Sequence, residues 1–247
     1  MPSEAKLADV KMVEALGSIS TATLTSVLLK KGLRNVFMRL ARPLNPAQPR
    51  CCGRAFTLRF VPAREDLATA AALASASSTR AAIEAMPAGS VAVVDAMGRT
   101  DAGIFGDILC ARMHKRGVAG LISDGVVRDL AGVLATGLPV WCQGSAAPPS
   151  FAGLTFVAWQ QPIGCGGVAV LPDDMVVADG DGAVVIPAGL VAEVVAAAVE
   201  QERLEAWILR EVEAGASLPG LYPPNAANQA RYAAATAGNT SGPGAAD

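Results

Sequence analysis

Histidine is nearly absent: His114 is the single imidazole in 247 residues. A histidine-based metal site or a Ser-His-Asp triad would have to be built around it alone, so zinc hydrolases and serine hydrolases are poor fits. The five cysteines, Cys51, Cys52, Cys110, Cys142 and Cys165, include no Cys-x-x-Cys pair. That excludes a zinc ribbon and a thioredoxin motif and leaves buried free thiols as the expectation. Charge of one sign is also missing: the formal net charge is −2, which removes the broad cationic field that nucleic-acid binding relies on. No apolar run approaches the ~20 residues that a membrane span needs. The first residues, MPSEAKLADVKMVEAL, mix charges and lack the apolar centre of a signal peptide, so a cytoplasmic protein with no nucleic-acid or membrane partner is expected.

What is present is apolar and small. Hydrophobic residues make up 52% of the chain and charged residues 17%, which excludes wholesale disorder. A chain of this length buries roughly 70–75% of its unfolded surface.

Periodicity sets the organisation. Residues 8–32 read as helix in two pieces, with Ser18, Ser20 or Thr21 as the cap of the second and Gly32 as its stop. Three prolines make 34–50 a loop. AFTLRFVP (55–62) alternates like a strand. An Ala-rich helix is expected over 66–86, capped by Asp66. Apolar strands at 90–96, 118–125 and 138–144 then alternate with helices at 106–117 and 127–137, the rhythm of parallel βαβ units. Residues 145–190 read as short strands with tight Asp/Gly turns, and 188–213 as one long helix. LPGLYPPN reads as extended. The expectation is one α/β domain over 1–235 and a disordered tail over 236–247.

The chemistry concentrates between Asp95 and Asp129. Gly106-Asp107-Ile108-Leu109 opens a helix directly after a glycine-containing loop. Helix-start amides and the positive end of the dipole bind carboxylates, although Asp107 could equally serve only as a cap. Arg128 and Asp129 follow a buried strand, where ligands gather in parallel sheets. The arginine fork suits a keto-acid, and the aspartate is a hard oxygen ligand for Mg²⁺ or Mn²⁺; a surface ion pair is the plainer use of both.

Together, Asp107, twenty intervening residues, Arg128 and then Asp129 resemble the class II pyruvate aldolases acting on 4-hydroxy-4-methyl-2-oxoglutarate and 4-carboxy-4-hydroxy-2-oxoadipate. These belong with the RraA-like proteins, named after a regulator of ribonuclease E. STATLTSVL, GRAFTLRFVPAREDL, VAVVDAMGRTDAGIFGDIL, VAGLISDGVVRD, LPVWCQG and PIGCGGVAVLPDDMVVADGDGAVVIP are similar to that family in the same order, over residues 18–200. The resemblance implies a β/β/α layered domain with a mixed sheet, assembled as a homotrimer or hexamer. It implies that the amides of Gly106, Asp107, Ile108 and Leu109 hold a substrate carboxylate, that Arg128 binds substrate and that Asp129 binds a divalent metal. Two departures stand out. Pro172-Asp173-Asp174 replaces Pro-Gly-Asp, which is expected to alter a turn rather than the chemistry. A longer C-terminal segment, Leu218 to Pro224, suggests a subgroup with a different substrate.

The implied reaction is retro-aldol cleavage of a 4-hydroxy-2-oxo acid, with Arg128 as electrostatic support and Asp107 as the candidate base. Oxaloacetate decarboxylation would pass through the same enolate. The alternatives are dehydration of a 2-oxo-3-deoxy sugar acid and a non-catalytic regulator of the ribonuclease E kind. A Schiff-base route is disfavoured because Lys6, Lys11, Lys30, Lys31 and Lys115 lie outside the strand-end motifs. A methyltransferase is rejected because GRTDAGIFGD lacks a GxGxG loop. Asp124 is read as a turn residue or a support for the site. Arg99, Thr100 and Asp101 are read as either pocket lining or a solvated loop, and His114 as structural. Asp173, Asp174, Asp179 and Asp181 are read as turn-formers. Glu202 and Glu205 are candidates for reaching a neighbouring subunit's site.

Overall fold

The structure is a computed structural model that describes residues 4–67 and 69–237. It divides into two compact units, Met1–Val195 and Ala196–Asp247.

The first unit opens with α1 (Glu4–Ser18) and α2 (Thr21–Lys30). Ser20 is the cap between them, its hydroxyl accepting from the Thr23 amide. The proline-bearing loop adds only two-residue strands, β1 (Phe37–Met38) and β2 (Arg42–Pro43). β3 (Cys51–Pro62) follows, four residues longer at its start than its alternation suggests.

The single helix expected over 66–86 is instead two, α3 (Ala70–Ala74) and α4 (Thr79–Ala85). The break is the Ser75-Ala76-Ser77-Ser78 stretch. Ser75 and Ser78 take extended backbone, and Ser78 turns its hydroxyl to the Ala81 amide. Serine side chains compete with the backbone in this way and favour caps over helix interiors. Thr69 caps α3, and Asp66 pairs with Arg64 rather than capping.

The βαβ rhythm then appears as β4 (Val91–Asp95), α5 (Asp107–Lys115), β5 (Gly120–Ser123), α6 (Leu130–Ala135) and β6 (Val140–Cys142). Short strands complete the unit: β7 (Leu154–Trp159), β8 (Ile163–Cys165), β9 (Val168–Val170), β10 (Met175–Ala178) and β11 (Ala183–Ile186).

Nine strands form one mixed sheet, ordered β1-β11-β10-β3-β4-β5-β6-β2 with β7 beside β3. β3 to β6 run parallel and the other pairings are antiparallel. β3 is long because it serves both halves. Its first residues pair with β10, its middle with β4 and its end with β7.

The period-2 alternation of the strands sorts two cores. Phe56, Leu58, Ala92, Val94 and Leu121 face α4, α5 and α6 through Ile83, Cys110, Met113 and Val133. Ala55, Val91, Val93 and Ile122 face the β8–β9 hairpin through Ile163, Cys165, Val168 and Val170. The layers are therefore helix, sheet and hairpin, a β/β/α stack. All five cysteines are free thiols, and burial pushes Cys110 up to about 12 and Cys165 well above the usual thiol range.

α7 (Val191–Glu213) begins in the first unit and continues into the second, where α8 (Ala226–Ala237) follows. Trp207, Ile208 and Leu221 form a small core with Leu204, Val212 and Tyr232. The LPGLYPPN stretch is not extended. Leu221 and Tyr222 amides both donate to the Leu218 carbonyl and Asn225 to that of Gly220, so it folds as successive turns. Residues 236 and 237 end α8, and the rest of the expected tail, 238–247, lies outside the described residues. Among the described residues no single helix is long and apolar enough to cross a membrane.

Candidate active site at the start of α5

The loop before α5 is tied to the segment leaving β5. Ile104 N–H donates to Val126 O (2.8 Å), and Arg128 N–H donates to Phe105 O (2.9 Å). Gly103 bridges Val126 on one side and Pro149 on the other. These bonds carry the strand-end geometry past β5 and bring Arg128 and Asp129 against the first turn of α5.

The approach is close enough to require glycine. A Cβ at Gly106 would lie 2.6 Å from Asp129 Oδ2 and 3.2 Å from Arg128 Cγ. Gly106, in extended backbone, is the N-cap of α5. The amides of Asp107, Ile108 and Leu109 therefore have no acceptor within the helix. Asp107 Oδ1 takes the Ile108 amide at 2.7 Å, a bond to its own neighbour that leaves helix capping to the backbone. The Asp107 side chain rests over Gly132 of α6, where a Cβ would meet it at 2.7 Å.

Asp129 is the N-cap of α6 and sits in the left-handed region at φ 53°, ψ 49°. An aspartate tolerates that conformation better than most residues. The conformation turns its carboxylate back toward Arg128, whose Nε donates to Oδ2 at 3.0 Å. Both side chains stay accessible, at 36% for Arg128 and 45% for Asp129. The guanidinium's terminal nitrogens have no protein acceptor among the described residues. These groups open onto a cleft of 320 Å³, lined also by Thr79, Arg80, Ser150 and Phe151.

The structure thus brings together all the residues singled out as the site: Gly106, Asp107, Ile108, Leu109, Arg128 and Asp129. It places the secondary candidates elsewhere. Asp124 is buried, with Oδ1 accepting from Ala96 N–H (2.8 Å) and Oδ2 from Gly166 N–H (3.2 Å). Burial raises its pKa, and those amides only partly counter it. It fastens loops together and is not on the cleft. Arg99 and Asp101 pair with each other on a solvated loop. His114 lies in α5 against Gly137, away from the cleft.

Asp174 takes the Leu171 and Ala188 amides, and Asp179 takes the amide and hydroxyl of Thr21. Burial alone would raise the pKa of Asp179, but the Thr21 bonds, the Asp181 amide and nearby Arg50 together outweigh it and hold the carboxyl below its usual value. Asp173 adopts φ 68°, so the departure at Pro172-Asp173-Asp174 falls on a left-handed turn residue. Glu202 and Glu205 are on α7 in the second unit, with Glu205 accepting from Gln201.

Thr79, Arg80, Ser150 and Phe151 escaped the sequence reading. The first two sit at the start of α4, inside what reads as an unbroken helix. The serine-rich break was the only available signal. Nothing in the sequence marks Ser150 or Phe151.

A "Putative 4-hydroxy-4-methyl-2-oxoglutarate aldolase" of Halalkalibacterium halodurans is 38% identical over 111 residues, 44% of this chain and 51% of that protein. "Protein DlpA" of Legionella pneumophila is 27% identical over 207 residues, 84% of this chain and 32% of that protein. The matches thus span about half of the first relative and a third of the second.

Among solved structures, Streptomyces coelicolor RraAS2 is described as an unusual member of the RNase ES inhibitor RraA family. It superposes with a TM-score of 0.73 at 34% identity, covering 83% of this chain and 96% of that one. An uncharacterized protein from Pseudomonas syringae superposes with a TM-score of 0.74 at 28% identity, covering 86% and 96%. Residues 7–185 match the family described as RraA-like: Aldolase/RraA. With that match spanning most of its length and these folds superposing on it, the chain belongs to the RraA-like Aldolase/RraA family.

Proposed function

We propose that this protein is a divalent-metal-dependent carbon–carbon lyase that cleaves a 4-hydroxy-2-oxo acid to pyruvate and a second carbonyl compound. The observation that carries this reading is the Arg128–Asp129 pair held over the first turn of α5 by Gly106. A cation, a hard anionic ligand and a set of helix-start amides converge on one cleft, which suits an α-keto carboxylate.

The donor set fits Mg²⁺ or Mn²⁺. Asp129 offers an accessible carboxylate, and no group of three or more His, Cys, Asp or Glu side chains stands together among the described residues. Water and substrate oxygens would complete the shell, the habit of Mg²⁺ rather than of structural zinc. Bound there, the cation supplies Lewis-acid stabilisation of the developing enolate.

The chain's own residues do the rest. The Asp107 and Leu109 amides, which the helix leaves without an acceptor, and the α5 dipole orient the C1 carboxylate. Arg128 pairs with the same oxygens and stabilises charge as it shifts onto them. Asp107, beside the cleft, accepts the proton from the C4 hydroxyl. As that proton leaves, C4 becomes a carbonyl, the C3–C4 bond breaks and its electron pair forms the pyruvate enolate. Protonation at C3 releases pyruvate. Oxaloacetate decarboxylation gives the same enolate and belongs to the same proposal, as does assembly into a trimer or hexamer.

The test is pyruvate release, followed by coupling to lactate dehydrogenase, from a panel of 4-hydroxy-2-oxo acids and oxaloacetate. Release that requires Mg²⁺ or Mn²⁺, stops with EDTA and vanishes in Arg128→Ala supports the reading. A folded protein that neither turns over these acids nor binds the metal favours a binding regulator, the role named for the Streptomyces relative's family.

A further inference from the structure

A second cavity, of 310 Å³, lies beside the candidate active cleft and shares Thr79, Ser150 and Phe151 with it as a common wall. Its chemistry is different. The cleft holds Arg80, Asp107, Arg128 and Asp129, whereas no described residue lining the second cavity carries a charge. Phe60, Leu67, Leu154, Phe156 and Val157 supply its apolar surface. Phe60 and Phe156 meet edge to face at 5.2 Å, which fixes a rigid aromatic floor.

Its polar lining is neutral hydroxyls, three of which serve the fold as acceptors: Thr69 and Ser78 from helix-start amides and Thr155 from the Arg64 amide. A second carboxylate placed there would exchange water for an apolar wall with no cationic side chain among the described lining residues to pair with, which is unfavourable. An alkyl or aryl chain would replace water at no such cost.

We infer that the second cavity is a specificity subsite, and that the substrate is a 2-oxo acid whose distal end is an uncharged apolar chain passing Phe151 rather than a second carboxylate. This rests on the 2-oxo acid reading of the cleft, and it narrows that reading to one class of substrate. The open face of Phe151, 52% exposed, stands where the two cavities meet and where such a chain would pack.

The experiment is titration calorimetry with Mg²⁺ present, using pyruvate, 2-oxobutyrate, 2-oxohexanoate, 2-oxoadipate and hexanoate. Affinity should rise from pyruvate to 2-oxohexanoate by up to about fourfold per methylene. 2-Oxoadipate, of equal carbon number, should bind at least tenfold more weakly than 2-oxohexanoate, because its distal carboxylate meets no cation among the described lining residues. Hexanoate, lacking the keto group, should bind more weakly than 2-oxohexanoate. Val157→Arg, at a half-exposed position outside the cleft, should reverse the preference for 2-oxohexanoate over 2-oxoadipate while leaving pyruvate unchanged.

Flat affinity along the series, or 2-oxoadipate binding as well as 2-oxohexanoate, overturns the subsite alone. Hexanoate matching 2-oxohexanoate overturns the link between the cavities, and an unchanged order in Val157→Arg overturns the placement. Failure of every 2-oxo acid to bind, pyruvate included, overturns the lyase reading and the subsite with it.

Discussion

Asp124 and Asp129 follow the same strand, β5, within a few residues, and they have opposite fates. Asp124 is buried at 5% exposure, and both of its oxygens are taken by backbone amides from other loops. Asp129 is accessible, held in left-handed backbone, and paired only with its neighbour Arg128 at 3.0 Å. A carboxylate whose lone pairs are filled by amides organises the fold. One that stands over a cleft beside an arginine with free donors keeps capacity for a ligand. The difference lies in the partners each backbone position allows, since the residue type is the same.

The sharpest way to break the comparison is to neutralise each carboxylate and read activity and stability separately. Asp129→Asn keeps the shape and tolerates left-handed backbone. It should lower kcat/KM for pyruvate release by about 10³-fold, the scale of losing a directly engaged charge. Its unfolding free energy should stay within about 0.5 kcal/mol of the parent. Urea denaturation beside the coupled assay checks both. A large loss of stability with activity retained would place Asp129 in the structural class.

Asp124→Ala should do the reverse. It strands the buried Ala96 and Gly166 amides, at a cost of about 2–3 kcal/mol in urea unfolding. Activity per folded molecule should change by less than about threefold. A hundredfold loss from a fully folded Asp124→Ala would show that the two carboxylates act as one unit.

The sequence carries these two roles unequally. The β5–α6 connection is legible because an apolar strand followed by Asp-Gly and then Arg-Asp is a strand exit with ligand chemistry at it. The parallel βαβ rhythm from β4 to β6 is legible too, because the buried runs are separated by helix-length segments ending in glycine. The break between α3 and α4 was not, because alanine-rich periodicity continues straight through Ser75–Ser78 and hides the hydroxyl caps. Thr79 and Arg80 reach the cleft through that break. The burial of Asp124 was equally hidden, since its partners, Ala96 and Gly166, come from distant loops. α8 went unread because a proline-rich stretch precedes it and an Ala-rich polar segment offers little contrast.

A smaller effect sharpens the geometry on the Asp129 side. In Gly106→Ala the new methyl would lie 2.6 Å from Asp129 Oδ2 and 3.2 Å from Arg128 Cγ. The backbone is extended there, so alanine meets no conformational penalty and the effect is steric. Pushing the carboxylate aside should lower kcat/KM by about tenfold, as expected of displacing a positioned group. The melting temperature should move little. An unchanged rate would mean that the Arg128–Asp129 contact is incidental.

The smallest effect separates buried carboxylates from each other. Asp124 has its pKa raised above 3.8 by burial, so the folded state binds its proton more tightly than the unfolded chain does. Its contribution to stability is therefore greatest at low pH and declines as pH rises from 3.8 through the raised value. Asp179 runs the other way. The Thr21 bonds, the Asp181 amide and Arg50 together overcome burial and lower its pKa, so its contribution is present above 3.8 and is lost as pH falls through the lowered value. Urea unfolding of Asp124→Asn and Asp179→Asn across this range reads both signs. The parent's advantage over Asp124→Asn should shrink with rising pH, and its advantage over Asp179→Asn should grow. An advantage over both variants that grows with rising pH would mean that amide bonds, rather than burial, set the pKa of Asp124. The contrast between Asp124 and Asp129 would then rest on ligand access alone.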